Sequence, residues 1–236
     1  MTWSWVVAER DHQIQDPTSA EKIRLLGEYL RLDASSRVLD LACGKAGPAI
    51  VLAEAFGCRT QGVELRPQFA DDARARAAER GLGGLVSIET ADAASYPLEP
   101  EAWDAVLCLG ASFVWGHIGD AATAIVPAVQ PGGFGAIGEP FWHQAGVERD
   151  EFVDLAATVE RFQSGGLALT GLIAASKDDW DRYESLHWRA LEEWLAANAE
   201  HPDAAEIRER HVSFRDNYIR KQRAELGWAI FVGRKS

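Results

Sequence analysis

Positive charge is scarce in this chain: 24 lysines and arginines face 36 aspartates and glutamates, for a net charge of −12. That balance leaves no basic footprint for nucleic acid. Arg208, Arg210, Arg215, Arg220 and Arg223 do gather, but Glu206, Glu209, Asp216 and Glu225 interleave with them, the pattern of a solvated helix face. Cysteine is equally sparse. Cys43, Cys58 and Cys108 are odd in number and form no Cys-x-x-Cys pair, which points to buried reduced thiols, a reducing compartment and no disulfide framework. No stretch reaches the ~18–20 apolar residues of a membrane span, and no basic segment followed by an apolar run opens the chain. A soluble, cytoplasmic protein without a membrane partner is expected. No His/Asp/Glu cluster has metal-ligand spacing, so no metal site is expected either.

Apolar residues are plentiful at 47% of 236, enough for a sizeable core in one α/β domain with additions. The informative stretch is Arg37–Gly47. Val38, Leu39 and Leu41 read as a buried parallel strand, with Asp40 near its carboxyl end. Ala42, Gly44, Ala46 and Gly47 make a tight small-residue turn, and Pro48 suits the first position of a following helix. Strand, tight turn and helix are how an open α/β sheet builds a ligand crevice at its strand ends. Ala42-x-Gly44-x-x-Gly47 approximates a dinucleotide fingerprint, so an NAD(P)-dependent oxidoreductase is one reading. Asp40 weighs against it, because a carboxylate just before the turn repels a pyrophosphate. The ammonium of S-adenosylmethionine, by contrast, wants such an acceptor. Its carboxylate can take free N–H groups at the helix N-terminus.

Residues 37–47 resemble motif I of the class I S-adenosylmethionine-dependent methyltransferases, usually Asp-x-Gly-x-Gly-x-Gly, with alanine at 42 and 46 in place of two glycines. The resemblance implies a Rossmann-like, seven-stranded, mostly parallel sheet with an antiparallel last strand and helices on both faces. The remaining strands read as 59–64, 86–93, 103–110, 134–138, 167–175 and 228–232, with a helix over 121–129 before the fifth. Glu64 ends the second strand 24 residues after Asp40, the offset at which a carboxylate meets ribose hydroxyls. Asp92 follows the third strand, where an acidic residue of this family accepts from the adenine amino group. The resemblance thus assigns cofactor contacts to Asp40, Ala42, Gly44, Glu64, Leu65, Asp92, Ala93, Leu109 and Gly110. It also implies S-adenosylhomocysteine as product.

The family resemblance makes 1–36 a lid segment, for which Trp3, Trp5 and the polar turn His12–Pro17 are suited, within a single domain spanning 1–236. Residues 177–226 form a helical insertion. Trp180, Tyr183, Trp188, Leu191, Trp194 and Leu195 recur there at helical spacing, as do Ile207, His211, Phe214 and Tyr218. Ordinary packing against the sheet, a cap over the acceptor and a homodimer face all fit that stripe. Asp-Pro-Thr-Ser-x-Glu-Lys, Gly-Ala-Ser-Phe-x-Trp-Gly, Ile-Gly-Glu-Pro-Phe-Trp and Asp-Trp-Asp-Arg-Tyr-Glu-Ser resemble a bacterial group of small-molecule methyltransferases with largely unassigned substrates. The expected activity is therefore in-line methyl transfer to a small-molecule acceptor, with no nucleic-acid partner. The Asn/Asp-Pro-Pro-aromatic motif of enzymes that methylate nucleic-acid amino groups does not occur. If the acceptor needs a base, Glu139, His143, His117 and His12 are the candidates. A non-catalytic cofactor-binding partner or sensor remains the other alternative.

Overall fold

The computed structural model describes residues 2–235. A short helix α1 (Thr2–Ala8) and helix α2 (Ala20–Tyr29) precede the first strand, β1 (Arg37–Leu41). Ser19 caps α2 by accepting from the Lys22 N–H, and Ile23 and Leu26 form its buried face. Then follow α3 (Gly47–Phe56), β2 (Arg59–Glu64), α4 (Pro67–Glu79), β3 (Val86–Thr90) and β4 (Trp103–Leu109). This strand–helix alternation sets β1, β2, β3 and β4 parallel, with Asp40 level with Gly62 on one side and Leu107 on the other.

The second half continues with α5 (Ile118–Ile125), β5 (Val129–Trp142), a two-stranded hairpin β6 (Glu148–Arg149) and β7 (Phe152–Val153), α6 (Leu155–Ser164) and β8 (Leu167–Ala174). Helices α7 (Lys177–Ala197), α8 (Ala204–Asn217) and α9 (Arg223–Glu225) lead to β9 (Leu226–Lys235). The sheet runs β3-β2-β1-β4-β5-β9-β8, and β9 is antiparallel to both neighbours. This is the expected seven-stranded, Rossmann-like architecture. Helices α2 and α3 pack on one face through Ile23, Leu26 and Leu52, while α5 and α6 cover the other through Ile118, Ile125 and Phe162.

Several boundaries differ from expectation: β3 stops at Thr90 rather than 93, and β9 runs Leu226–Lys235 rather than 228–232. The fifth strand is longer than 134–138, because β9 pairs with it along its whole outer half, from Phe134 opposite Arg234 to Trp142 opposite Leu226. The helix expected over 121–129 starts at Ile118 and ends at Ile125, where Pro127 turns the chain into a 3₁₀ segment, Val126–Ala128. All three cysteines are buried and unpaired. No described helix is long and apolar enough to cross a membrane.

Candidate active site

β1 carries Asp40 into the crevice because its flanking residues, Val38, Leu39 and Leu41, are wholly buried between strands and helices. After the strand the chain reverses through alternating left-handed residues: φ is +56° at Ala42, +55° at Gly44 and +55° at Ala46. Motif I calls for glycine at this rhythm, and here two alanines hold the same conformation. L-residues there carry roughly 1–2 kcal/mol each of strain. Pro48 then sits in the first turn of α3, whose N-terminal residues Gly47–Ala53 are all buried.

A cavity of about 400 Å³ opens at the strand ends. Asp40, Ala42, Gly44, Glu64, Leu65, Leu109 and Gly110 line it, so seven of the nine expected cofactor residues meet there. Asp92 and Ala93 are not among its lining residues. Asp92 instead closes a local turn, accepting from the Ala94 N–H at 3.0 Å. Glu64 stabilises the turn from the next strand: its Oε2 accepts from the Gly44 N–H at 3.0 Å and its Oε1 from the Arg66 N–H at 2.7 Å. A carboxylate has about four acceptor positions, so two remain for hydroxyl donors.

The N–H groups of the turn itself, ahead of the helix N-terminus, are already bonded within the protein. Cys43 N–H bonds Val63 O, Gly44 N–H bonds Glu64, Lys45 N–H bonds Gln15 Oε1 at 2.7 Å, and Ala46 N–H bonds Cys43 O. A pyrophosphate would find this cradle filled. The surrounding charge opposes it too, since buried Glu9, Asp16, Asp40 and Glu64 all belong to the cavity wall. Burial, with the neighbouring Asp16 and Glu64 carboxylates, pushes Asp40 up from 3.8 to about 8. Burial and Glu9 likewise push Asp16 to about 7. Asp40 Oδ2 is buried without a hydrogen-bond partner. A buried oxygen of this kind is costly unless a donor meets it, and a ligand ammonium is such a donor. The residues present thus fit the amino-acid end of S-adenosylmethionine at Asp40 and its ribose at Glu64.

Residues from outside the motif strands cover the cavity. Trp5, Glu9, Gln15 and Asp16 arrive from the N-terminal segment and Tyr183 from α7. Lys45 fastens that segment to the turn, donating to the carbonyls of Glu9 and Arg10, both at 2.9 Å. Arg76 adds a second tie, donating to Gln13 O and Lys45 O at 3.0 Å each. Trp5 and the turn His12–Pro17 stand out in the sequence as suited to a lid, whereas Glu9 does not. Asp16 lies so close to Gly110 that a Cβ on the glycine would stand 2.0 Å from Asp16 Oδ1.

The four acid–base candidates separate. Glu139 is buried off the cavity wall, where it accepts from Ser112 Oγ. Burial raises its carboxyl to about 7. It anchors the segment bearing Phe113 and Val114, which do line the cavity. His117 is spent as the N-cap of α5, its Nδ1 accepting from the Gly119 and Asp120 N–H groups. His143 is exposed and packs edge-on against Phe141, outside the cavity. His12 alone joins a cluster that reaches the wall. It lies 3.4 Å from Glu9, which also meets His187 Nε2 at 2.7 Å. Glu9, His12 and His187 present ligand atoms within 4.8 Å of one another, brought together from opposite ends of the chain where no sequence spacing signals them.

A second cavity, of about 280 Å³, adjoins the first and shares Trp5 and Tyr183 with it. Trp188, Leu191, Ile207 and Phe214 give it an apolar lining from α7 and α8.

Comparison with known proteins bears on both cavities. A family model described as a methyltransferase domain matches residues 38–133. The crystal structure of a SAM-dependent methyltransferase from Thiobacillus denitrificans, in complex with S-adenosyl-L-homocysteine, superposes with a TM-score of 0.89 at 32% identity, covering 97% of this chain and 96% of that one. The uncharacterized protein YjhP of Escherichia coli is 29% identical over 97% of this chain and 96% of its own length. The 27-O-demethylrifamycin SV methyltransferase of Amycolatopsis mediterranei is 28% identical, over 94% of this chain and 85% of its own. With the fold, the motif I turn and a full-length relative agreeing, this chain belongs to the class I S-adenosylmethionine-dependent methyltransferases, and S-adenosylmethionine is its cofactor.

Proposed function

We propose that this protein transfers the methyl group of S-adenosylmethionine to a small molecule held in the second cavity. The observation that carries the reading is the junction of the two cavities at Trp5 and Tyr183. A mostly apolar space of about 280 Å³ suits a compact organic acceptor group. The relative named a 27-O-demethylrifamycin SV methyltransferase supports the same class of acceptor.

When bound, the cofactor would supply a sulfonium methyl group, to which the acceptor's lone pair would bond in line as the methyl–sulfur bond breaks and S-adenosylhomocysteine leaves. The chain's own part is mainly placement, which can be worth ~7–11 kcal/mol when two reactants are fixed in line. Asp40 would hold the amino-acid end and Glu64 the ribose. Gln15 and Asp16, tied down by Lys45, would close the cofactor from water. Glu139 would position the Phe113 segment through Ser112 rather than touch the acceptor. Acidic walls favour a cationic donor over its neutral product, which helps release.

Calorimetric titration with S-adenosylmethionine, S-adenosylhomocysteine and NAD in parallel, followed by an acceptor screen reading S-adenosylhomocysteine release, tests the proposal. Micromolar binding of the adenosyl ligands, no binding of NAD, and turnover with a low-molecular-weight acceptor are expected. Turnover confined to a protein or nucleic-acid acceptor would overturn the small-molecule reading. Cofactor binding with no turnover on any acceptor would favour a sensor.

A further inference from the structure

Glu9, His12 and His187 form a buried group at the boundary of the two cavities, Glu9 on the wall of the first and His187 on that of the second. Glu9 is fully buried and His12 is 3% exposed, yet Glu9 Oε2 and His12 Nδ1 have no hydrogen-bond partner. The reason lies on the far side of the imidazole. His12 Nε2 lies 2.9 Å from the Tyr183 carbonyl oxygen, which can only accept, so the ring proton belongs on Nε2. Nδ1 then turns a lone pair toward a carboxylate oxygen 3.4 Å away. Two acceptors facing each other in a buried site repel unless something positive stands between them. Lys45 does not serve: its ammonium is committed to the Glu9 and Arg10 carbonyls and to Asp72 at 3.2 Å.

We propose that Glu9, His12 and His187 bind a divalent transition-metal ion of the zinc class, held by one carboxylate and two neutral imidazoles. The spacing agrees with that chemistry. Bonds of ~2.0–2.1 Å in tetrahedral arrangement separate adjacent ligand atoms by about 3.3–3.4 Å, and the Glu9–His12 pair stands at 3.4 Å. A histidine ligand normally donates its other N–H to a carbonyl or carboxylate, as the His12–Tyr183 contact does. Burial also lowers the proton affinity of His12, keeping it in the neutral state that ligates. His187 Nε2 now sits 2.7 Å from Glu9 Oε1, and an ion would replace the proton in that contact. Three protein ligands leave a fourth tetrahedral position, which is how zinc sites that take an exogenous ligand are built.

The test uses the untagged full chain, stripped with EDTA and titrated with Zn²⁺ against a chromophoric chelator at pH 7.5, with Co²⁺ as a spectroscopic probe. One ion per chain and a tetrahedral cobalt absorption band are expected. His187→Asn should weaken binding at least tenfold and abolish the band. If Glu9→Gln or His12→Asn fails to fold, His187→Asn still decides, since it lies on the surface of the second cavity. His201→Asn, outside the cluster, should bind as the wild type does. No stoichiometric uptake by the wild type, or unchanged uptake by folded His187→Asn, overturns the proposal and leaves a proton shared between Glu9 and His12 as the alternative. S-adenosylhomocysteine titrated in parallel reports separately on the methyl-transfer reading.

Discussion

Asp40→Asn should make the free protein more stable while crippling its use of the cofactor. The wild-type carboxyl is buried beside Asp16 and Glu64, and its folded value stands near 8 against 3.8 ordinarily. A carboxyl raised in the folded state contributes stability that is fully present below 3.8 and is lost as pH rises toward 8. Each pH unit in that interval is worth ~1.4 kcal/mol. Relative to Asn, the native residue therefore lowers stability by about 2 kcal/mol at pH 5 and on the order of 4 kcal/mol at pH 7. For a chain of this length that corresponds to roughly 10 °C in Tm at neutral pH. Thermal unfolding of both proteins at pH 4, 5, 6 and 7 would show curves that meet at the acid end and diverge upward. Binding should move the opposite way. The ligand ammonium needs the ionised carboxylate, so wild-type affinity for S-adenosylhomocysteine should tighten between pH 6 and 8, and Asp40→Asn should bind at least tenfold more weakly. A stability difference that is absent, reversed or flat with pH would refute the placement of Asp40 as an uncompensated buried acid.

Three further outcomes follow from named contacts. Ala42→Gly relieves a left-handed φ of +56° at the expense of backbone entropy, so a gain of about 0.5–1 kcal/mol in denaturant unfolding is expected; a loss would mean that the Ala42 methyl contributes more packing than strain. Glu64→Ala frees the Gly44 and Arg66 N–H groups and should weaken S-adenosylhomocysteine binding at least tenfold in calorimetry while the protein stays folded. Unchanged affinity there and in Asp40→Asn would sink the crevice assignment. His117→Ala removes the α5 cap and should lower stability by about 1 kcal/mol with turnover intact, whereas a tenfold drop in kcat would return His117 to the chemistry.

The parallel half of the fold was legible because its signals are local. Val38–Leu41, the small-residue turn and Pro48 are consecutive, and each strand end bearing Asp40 or Glu64 can be found by counting. The two alanines that stand for motif glycines, Ala42 and Ala46, are where the structure holds a positive φ. Asp92 shows the limit of counting: it follows β3, yet its side chain turns back onto the Ala94 N–H. Glu139 and His117 are similar. Their positions at a strand end and a helix start were readable, but local partners occupy their side chains, the Ser112 hydroxyl at Glu139 and two backbone N–H groups at His117. How the cavity's cover assembles was opaque for a different reason. Tyr183 and His187 meet Glu9 and His12 across more than 170 residues of sequence, and no periodicity encodes such a meeting.

On the proposed function, that division runs between the strand-end core of the cofactor crevice and the segments that cover it and line the second cavity. The matched methyltransferase domain spans 38–133 and contains Asp40, Gly44, Lys45, Glu64 and Gly110. Trp5, Glu9, Gln15, Asp16 and Tyr183 come from outside it, as do the residues that line the second cavity. The shared segment can therefore fix the donor while the flanking segments vary the acceptor. The two parts remain mechanically coupled, because Lys45 belongs to the motif turn but holds the carbonyls of Glu9 and Arg10. A ligand that draws on Asp40 and Glu64 tightens the turn to which Glu9 is tied, and Glu9 stands between the cavities. Cofactor binding should thus order the acceptor side before the acceptor arrives. Replacing Lys45 with methionine, which keeps the stem and removes the donors, should uncouple them. Amide exchange over residues 3–16 should slow on S-adenosylhomocysteine binding in the wild type and stay fast in Lys45→Met at saturating ligand. Equal protection in both would show that the segment is held by Gln15 and Arg76 alone.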